Sequence, residues 1–136
     1  MQTKIHLSVF FLILFQLVSC GTKNQEPSEI LKEANVFHQK SLDLREEIMG
    51  IEKQLQNEGL DYTNLKEELK IWDKDIIEVV GYEHSDANGY HRKYHIHNPP
   101  KPLSEEEQLA YQKMMYEEIL AIHEKFARLM APEVMS

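Results

Sequence analysis

The sequence predicts an all-α protein, an antiparallel three-helix bundle with a long histidine-rich loop between its second and third helices. Three observations carry that expectation. Apolar residues recur at alternating steps of three and four over three long segments, as one face of a helix requires. Glycine and proline are scarce, with five of each in 136 residues, and stand mostly at the ends of those segments. The connection between the first two segments is short, which favours antiparallel neighbours.

The first helix is expected over about Ser28 to Asn57. Its stripe is Ile30, Ala34, Phe37, Ser41, Leu44, Ile48, Ile51 and Leu55, with Pro27 suited to the first turn and Gly59 to the stop. A second helix is expected after Asp61, read as its N-cap. It carries Tyr62, Leu65, Leu69, Trp72, Ile76 and Val79 and is closed by Gly81. The third begins at Leu103-Ser104-Glu105-Glu106-Glu107, where Ser104 and Glu107 match a capping box and three acids face the positive end of the helix dipole. Its stripe is Tyr111, Met115, Ile119, Ile122, Phe126 and Leu129, and Pro132 bars continuation. A heptad-like seam does not say whose helix fills it, so pairing with another protein's helix stays open.

At roughly 1.5 Å per residue the helices are about 45, 29 and 40 Å long. The end of the second therefore falls level with residues 38 to 42 of the first, placing His38 within reach of Gly81 to His84. His123 falls towards the far end.

Ahead of the helices, Met1 to Lys4 is a short basic start and Ile5 to Leu17 an apolar run broken only by His6, Ser8 and Gln16. The run is too short for a bilayer, which takes about 20 apolar residues, and fits the core of a signal peptide. Leu17-Val18-Ser19-Cys20-Gly21 follows, and it resembles the lipobox of bacterial lipoproteins, with the chain's one cysteine at the cleavage point. The resemblance implies acylation of Cys20 and cleavage before it. The organisation expected is a signal peptide over 1–19, a lipidated tether over 20–27 and a helical domain over 28–131 whose loop covers 81–103. Two or three acyl chains give stable anchoring. Gly21 is not the aspartate associated with inner-membrane retention, and no acidic export cluster follows the cysteine. The expected place is the outer membrane, facing the periplasm.

Lipidation would leave no thiol for a disulfide, thiolate catalysis or a cysteine zinc site. The formal net charge is −8, one unit more negative once Lys4 leaves with the signal. So acidic a surface argues against nucleic acid and suits cations or basic partners.

The stretch GYEHSDANGYHRKYHIHNPPKP, Gly81 to Pro102, holds four of the seven histidines. Asn88-Gly89 is a turn signal. From Tyr90 the residues alternate: Tyr90, Arg92, Tyr94 and Ile96 on one side, and His91, Lys93, His95 and His97 on the other. Residues two apart in an extended segment share a face about 7 Å apart, a spacing at which His95 and His97 can serve one ion. Glu83, His84 and Asp86 lie before the turn. The candidate ligands are His84, His95, His97, Glu83 and His91, with His38 as an outside candidate, and imidazoles with carboxylates suit zinc, copper or nickel. Loose binding on a polar loop fits the same residues, and Lys93 on the histidine face would repel a cation.

Catalytic templates fail on inspection, and no enzymatic activity is expected. His123-Glu124-Lys125-Phe126-Ala127 begins like the zinc-protease motif but has Ala127 where the second histidine belongs. No Glu-x-x-His pair, haem-attachment motif or glycine-rich phosphate loop occurs. Met114, Met115 and Met130 suit packing better than copper ligation.

The lipobox, the long first helix, the second helix with Ile71-Trp72 and Glu78-Val79-Val80-Gly81-Tyr82-Glu83-His84, and the acidic start Glu105-Glu106-Glu107-Gln108-Leu109-Ala110-Tyr111-Gln112 together resemble small Bacteroidota lipoproteins labelled as similar to a viral A-type inclusion protein repeat. That label reflects coiled-coil similarity and implies no activity. Two functions follow as expectations: binding or buffering of a divalent metal through the loop, or holding a protein partner at the membrane through a helical seam.

Overall fold

The computed structural model describes residues 26–83, 92–96 and 98–131. Among them are three α-helices and no strand: α1, Glu29–Glu58; α2, Thr63–Asp75; and α3, Glu105–Met130. The expected signal peptide, Cys20, the Asn88-Gly89 turn, His84, His91 and His97 lie outside the described residues.

Helix α1 starts where Ser28 accepts a hydrogen bond from the Leu31 N–H, and ends at Gly59. Gly59 sits at φ 68°, a left-handed conformation that glycine adopts without a Cβ penalty, and donates back to Leu55 and Gln56. Helix α3 carries the expected capping box: Ser104 Oγ accepts from the Glu107 N–H while Glu107 accepts from the Ser104 N–H. Ser28 Oγ donates to Glu105 at 2.6 Å, so α1 and α3 begin side by side and run parallel. Asp61 acts one position further out than expected. Tyr62 is the N-cap residue of α2, and Asp61 accepts from the N–H and hydroxyl of Thr63.

The main departure from expectation is the end of α2. The helix stops at Asp75, and residues 76–80 leave it in non-helical conformation. The burial pattern gives the reason. Ile76, Ile77, Glu78 and Val79 are all buried, a consecutive run that one helical face cannot present to a core. An extended residue advances about 3.3 Å rather than 1.5 Å. The chain is thus carried past His38 to the start of α1, where Gly81 lies 3.6 Å, measured from an ideal Cβ position, from the Pro27 ring.

The principal core joins Leu42, Ile48 and Leu55 of α1, Leu69, Trp72 and Ile76 at α2, and Met115, Ile119, Ile122 and Phe126 of α3. A smaller cluster of Leu31, Ala34 and Val79, with Tyr82 and Leu109 against it, closes the end near Pro27. The stripe of α1 is rotated from the expected one, since Leu31, His38 and Leu42 are buried whereas Ile30, Phe37 and Leu44 are half-buried. Leu129 is exposed, and the buried stripe of α3 starts earlier, at Gln108 and Gln112. Helix α3 packs along α1 and against α2, but no Cα of α1 comes within 8 Å of one in α2.

Candidate functional site

The described part of the linker, 92–96 with 98–103, spans the opening between α1 and α2. Its alternation governs its docking. Arg92, Tyr94 and Ile96 are half-buried, while Lys93 and His95 are exposed. Arg92 donates to Asp43 at 2.6 Å and to the Gln39 side chain at 2.9 Å. Glu46 accepts from the backbone N–H of Lys93 at 2.6 Å and of Tyr94 at 3.3 Å. These three acceptors stand on successive turns of one face of α1, so the segment is fixed by its backbone as well as its side chains.

Tyr94 is the centre of this contact. Its ring lies 6.4 Å from that of Trp72 and 4.9 Å from the Arg45 guanidinium, and its hydroxyl donates to Asp73 at 2.8 Å. Burial, then the Asp73 carboxylate, pushes its phenol well above the usual range. Asp73 also accepts two bonds from Arg45, at 2.9 and 3.1 Å, a bidentate pair linking α1 to α2. Burial opposes the Arg45 charge, but Asp73 and the nearby Glu52 outweigh it and hold the guanidinium above its ordinary value. Behind Tyr94, Asn98 donates to the carbonyls of Asp73, Lys74 and Ile76, and its own carbonyl accepts from the Glu78 N–H. One asparagine thereby terminates α2 and holds the strand-like exit beside it.

Of the six expected metal ligands, three are described, and they stand apart. His38 is buried on α1, its Nδ1 3.1 Å from Gln112 Oε1, while Gln112 Nε2 donates to the Ile77 carbonyl. That amide orientation makes Nδ1 the donor, so the proton is on Nδ1. Burial, helped by the charge of Arg92, lowers the pKa of His38 to about 4 against the opposing Gln112 bond. Glu83 accepts from the Gly81 N–H at 2.9 Å. His95 faces outward beside Lys93 and Asn98. Among the described residues no three histidine or acidic side chains converge as a metal site. His123 Nε2 lies 2.9 Å from Glu47 Oε2, between α3 and α1.

The sequence reading overlooked Arg45, Glu46, Asp73, Asn98 and Gln112. Two signals for them were present. The alternation of the linker already placed Arg92, Tyr94 and Ile96 on one face, and the steps of α3 continue backwards from Met115 through Gln112 to Gln108.

Comparison with protein-family models, with curated proteins and with solved structures finds no match for this chain. None of the described helices is long and apolar enough to cross a membrane.

Proposed function

We propose that this chain is a lipid-anchored, periplasm-facing domain of the outer membrane that holds a protein partner there and has no enzymatic activity of its own. The anchoring rests on the lipobox residues Leu17 to Gly21. The interaction reading rests on one observation: α1 and α2 are each packed on α3 while no Cα of one comes within 8 Å of the other, and the opening between them, bridged by the Arg45–Asp73 pair, is covered by a linker segment held largely through polar contacts. A surface built this way offers a binding face without disturbing the helices. A photo-crosslinking residue at exposed Lys93, in the lipidated chain in intact cells, is expected to give a discrete protein adduct. Its absence both there and at Ile71, the most exposed large apolar side chain among the described residues, would refute the reading.

A second reading keeps the metal. It is favoured by the outward setting of His95 on a pinned segment, with His91 and His97 at alternate positions in the sequence. Zinc, copper or nickel titrated calorimetrically into the chain from Gly21 onward is expected to fill one site. Replacing His95 and His97 together should weaken it far more than replacing His91 and His123. Equal losses would reduce the loop to a sticky surface.

A further inference from the structure

We propose that the linker segment Arg92 to Ile96 is a releasable occupant of a peptide groove between α1 and α2, and that the groove recognises an extended segment with a basic residue, an aromatic two positions on and an aliphatic two beyond that. The proposal deepens the interaction reading and rests on it, naming the chemistry of the partner.

The groove's preferences are read from what fills it. Asp43 and Glu46, one helical turn apart on α1, take the Arg92 guanidinium and two consecutive backbone N–H groups. The slot beside Trp72 and the Arg45–Asp73 pair takes an aromatic ring and its hydroxyl. The core cluster that includes Leu42, Ile48 and Trp72 takes the aliphatic side chain of Ile96. Side chains at alternate positions enter pockets while the backbone is held by hydrogen bonds, which is how extended peptides are recognised elsewhere. The acidic rim suits a basic ligand, as does the net charge of −8.

Release is physically separable from unfolding. The helices meet through α3, along α1 on one side and α2 on the other, so those contacts survive when the segment leaves. The Arg45–Asp73 pair remains as a crossbar, since Arg45 reaches Asp73 without the linker. What opening exposes is Trp72, now 2 % exposed and donating through Nε1 to the Met115 carbonyl. It is the chain's one tryptophan and therefore an unambiguous reporter. Covalent attachment gives the cis segment an effective concentration of roughly millimolar order, so a free peptide of equal intrinsic affinity displaces it only where the cis copy is weakened.

The test uses the Arg92→Ala/Tyr94→Ala/Ile96→Ala variant and a blocked synthetic peptide of the sequence Arg92 to Asn98. The variant should keep its helical circular dichroism and become several-fold more susceptible to acrylamide quenching of Trp72. The peptide should restore protection in the variant and leave the unaltered protein unchanged. Unchanged quenching in the variant, restoration by a scrambled peptide, or no restoration would each overturn the proposal. If the variant loses its helices, amide exchange of the unaltered protein decides. Lys93 and Tyr94 should exchange at least about 100-fold faster than Ile48 and Ile119 by local opening, and equal protection would show the segment to be an inseparable part of the core. Neither outcome bears on whether a partner crosslinks at Lys93, so the two readings fail separately.

Discussion

Lowering the pH should destabilise the bundle through one residue, His38. The residue is 5 % exposed, and its pKa falls from 6.5 to about 4 on folding. The unfolded chain therefore binds a proton in the interval where the folded chain does not. The contribution of neutral His38 is fully present above pH 6.5 and is lost as the pH falls from about 6.5 towards 4. At about 1.4 kcal/mol per pKa unit, the swing is about 3 kcal/mol, a large share of the stability of a domain this size.

Carboxylates titrate at the lower end of the same range, so the assay must be a difference. Urea denaturation of the protein and of a His38→Gln variant, at intervals between pH 7.5 and 4, gives two curves of stability against pH. Subtracting them leaves His38 alone. The expected difference is flat above about pH 6.5 and shifts by about 3 kcal/mol against the histidine form by pH 4. A difference that stays level across the range would refute the reasoning, because it would mean His38 titrates alike in both states. Arg92→Gln should raise the midpoint of the shift, since the Arg92 charge opposes protonation of His38.

Cys20→Ala should abolish acylation and leave uncleaved precursor, read by mobility and detergent partitioning; normal processing would end the lipoprotein proposal. Phe126, fully buried, should cost about 3–5 kcal/mol when cut to alanine, and an unchanged thermal melt would place it outside the core. Asn98→Ala strips the bonds to three carbonyls at the end of α2 and should cost about 1–3 kcal/mol by urea denaturation. Loss of less than a few tenths would show that water replaces the side chain at no penalty.

What was legible in the sequence was whatever repeats. The 3.6 period gave α1, α3 and most of α2, and the period of two grouped Arg92, Tyr94 and Ile96 on one face without saying that it is the inward one. The caps at Gly59, Ser104 and Glu107 were readable because each bonds within a few residues of itself, whereas Ser28, expected inside the helix with Pro27 in the first turn, is the N-cap and Pro27 precedes it. The end of α2 was not readable by these means. Ile76 and Val79 sit at a helical spacing from Trp72, so the stripe continues through them whether or not the backbone does. Only the burial of the intervening Ile77 and Glu78 reveals an extended chain. The grouping of His38 with Glu83 fell with it, since both rested on a helix that carried Gly81 only half as far.

The polar residues inside the bundle answer a need that this extended segment creates. A helix satisfies its own backbone, whereas a buried non-helical chain must find partners for each carbonyl and N–H elsewhere. Here Tyr111 donates to the Asp75 carbonyl, Asn98 to that of Ile76 and Gln112 to that of Ile77, and the Asn98 carbonyl accepts from Glu78. Gln112, fully buried on α3, can serve Ile77 only if its amide oxygen is also satisfied, and His38 Nδ1–H does that from α1. The histidine that looked like a metal ligand from the sequence is thus the last member of a chain that begins with an unpaired helix end. Its neutrality follows from its place there: a second proton on the ring would be buried between α1 and α3, near the Arg92 charge. The departure of residues 76–80 from the helix, the polar interior of α3 and the burial of His38 against Gln112 are then one structural fact.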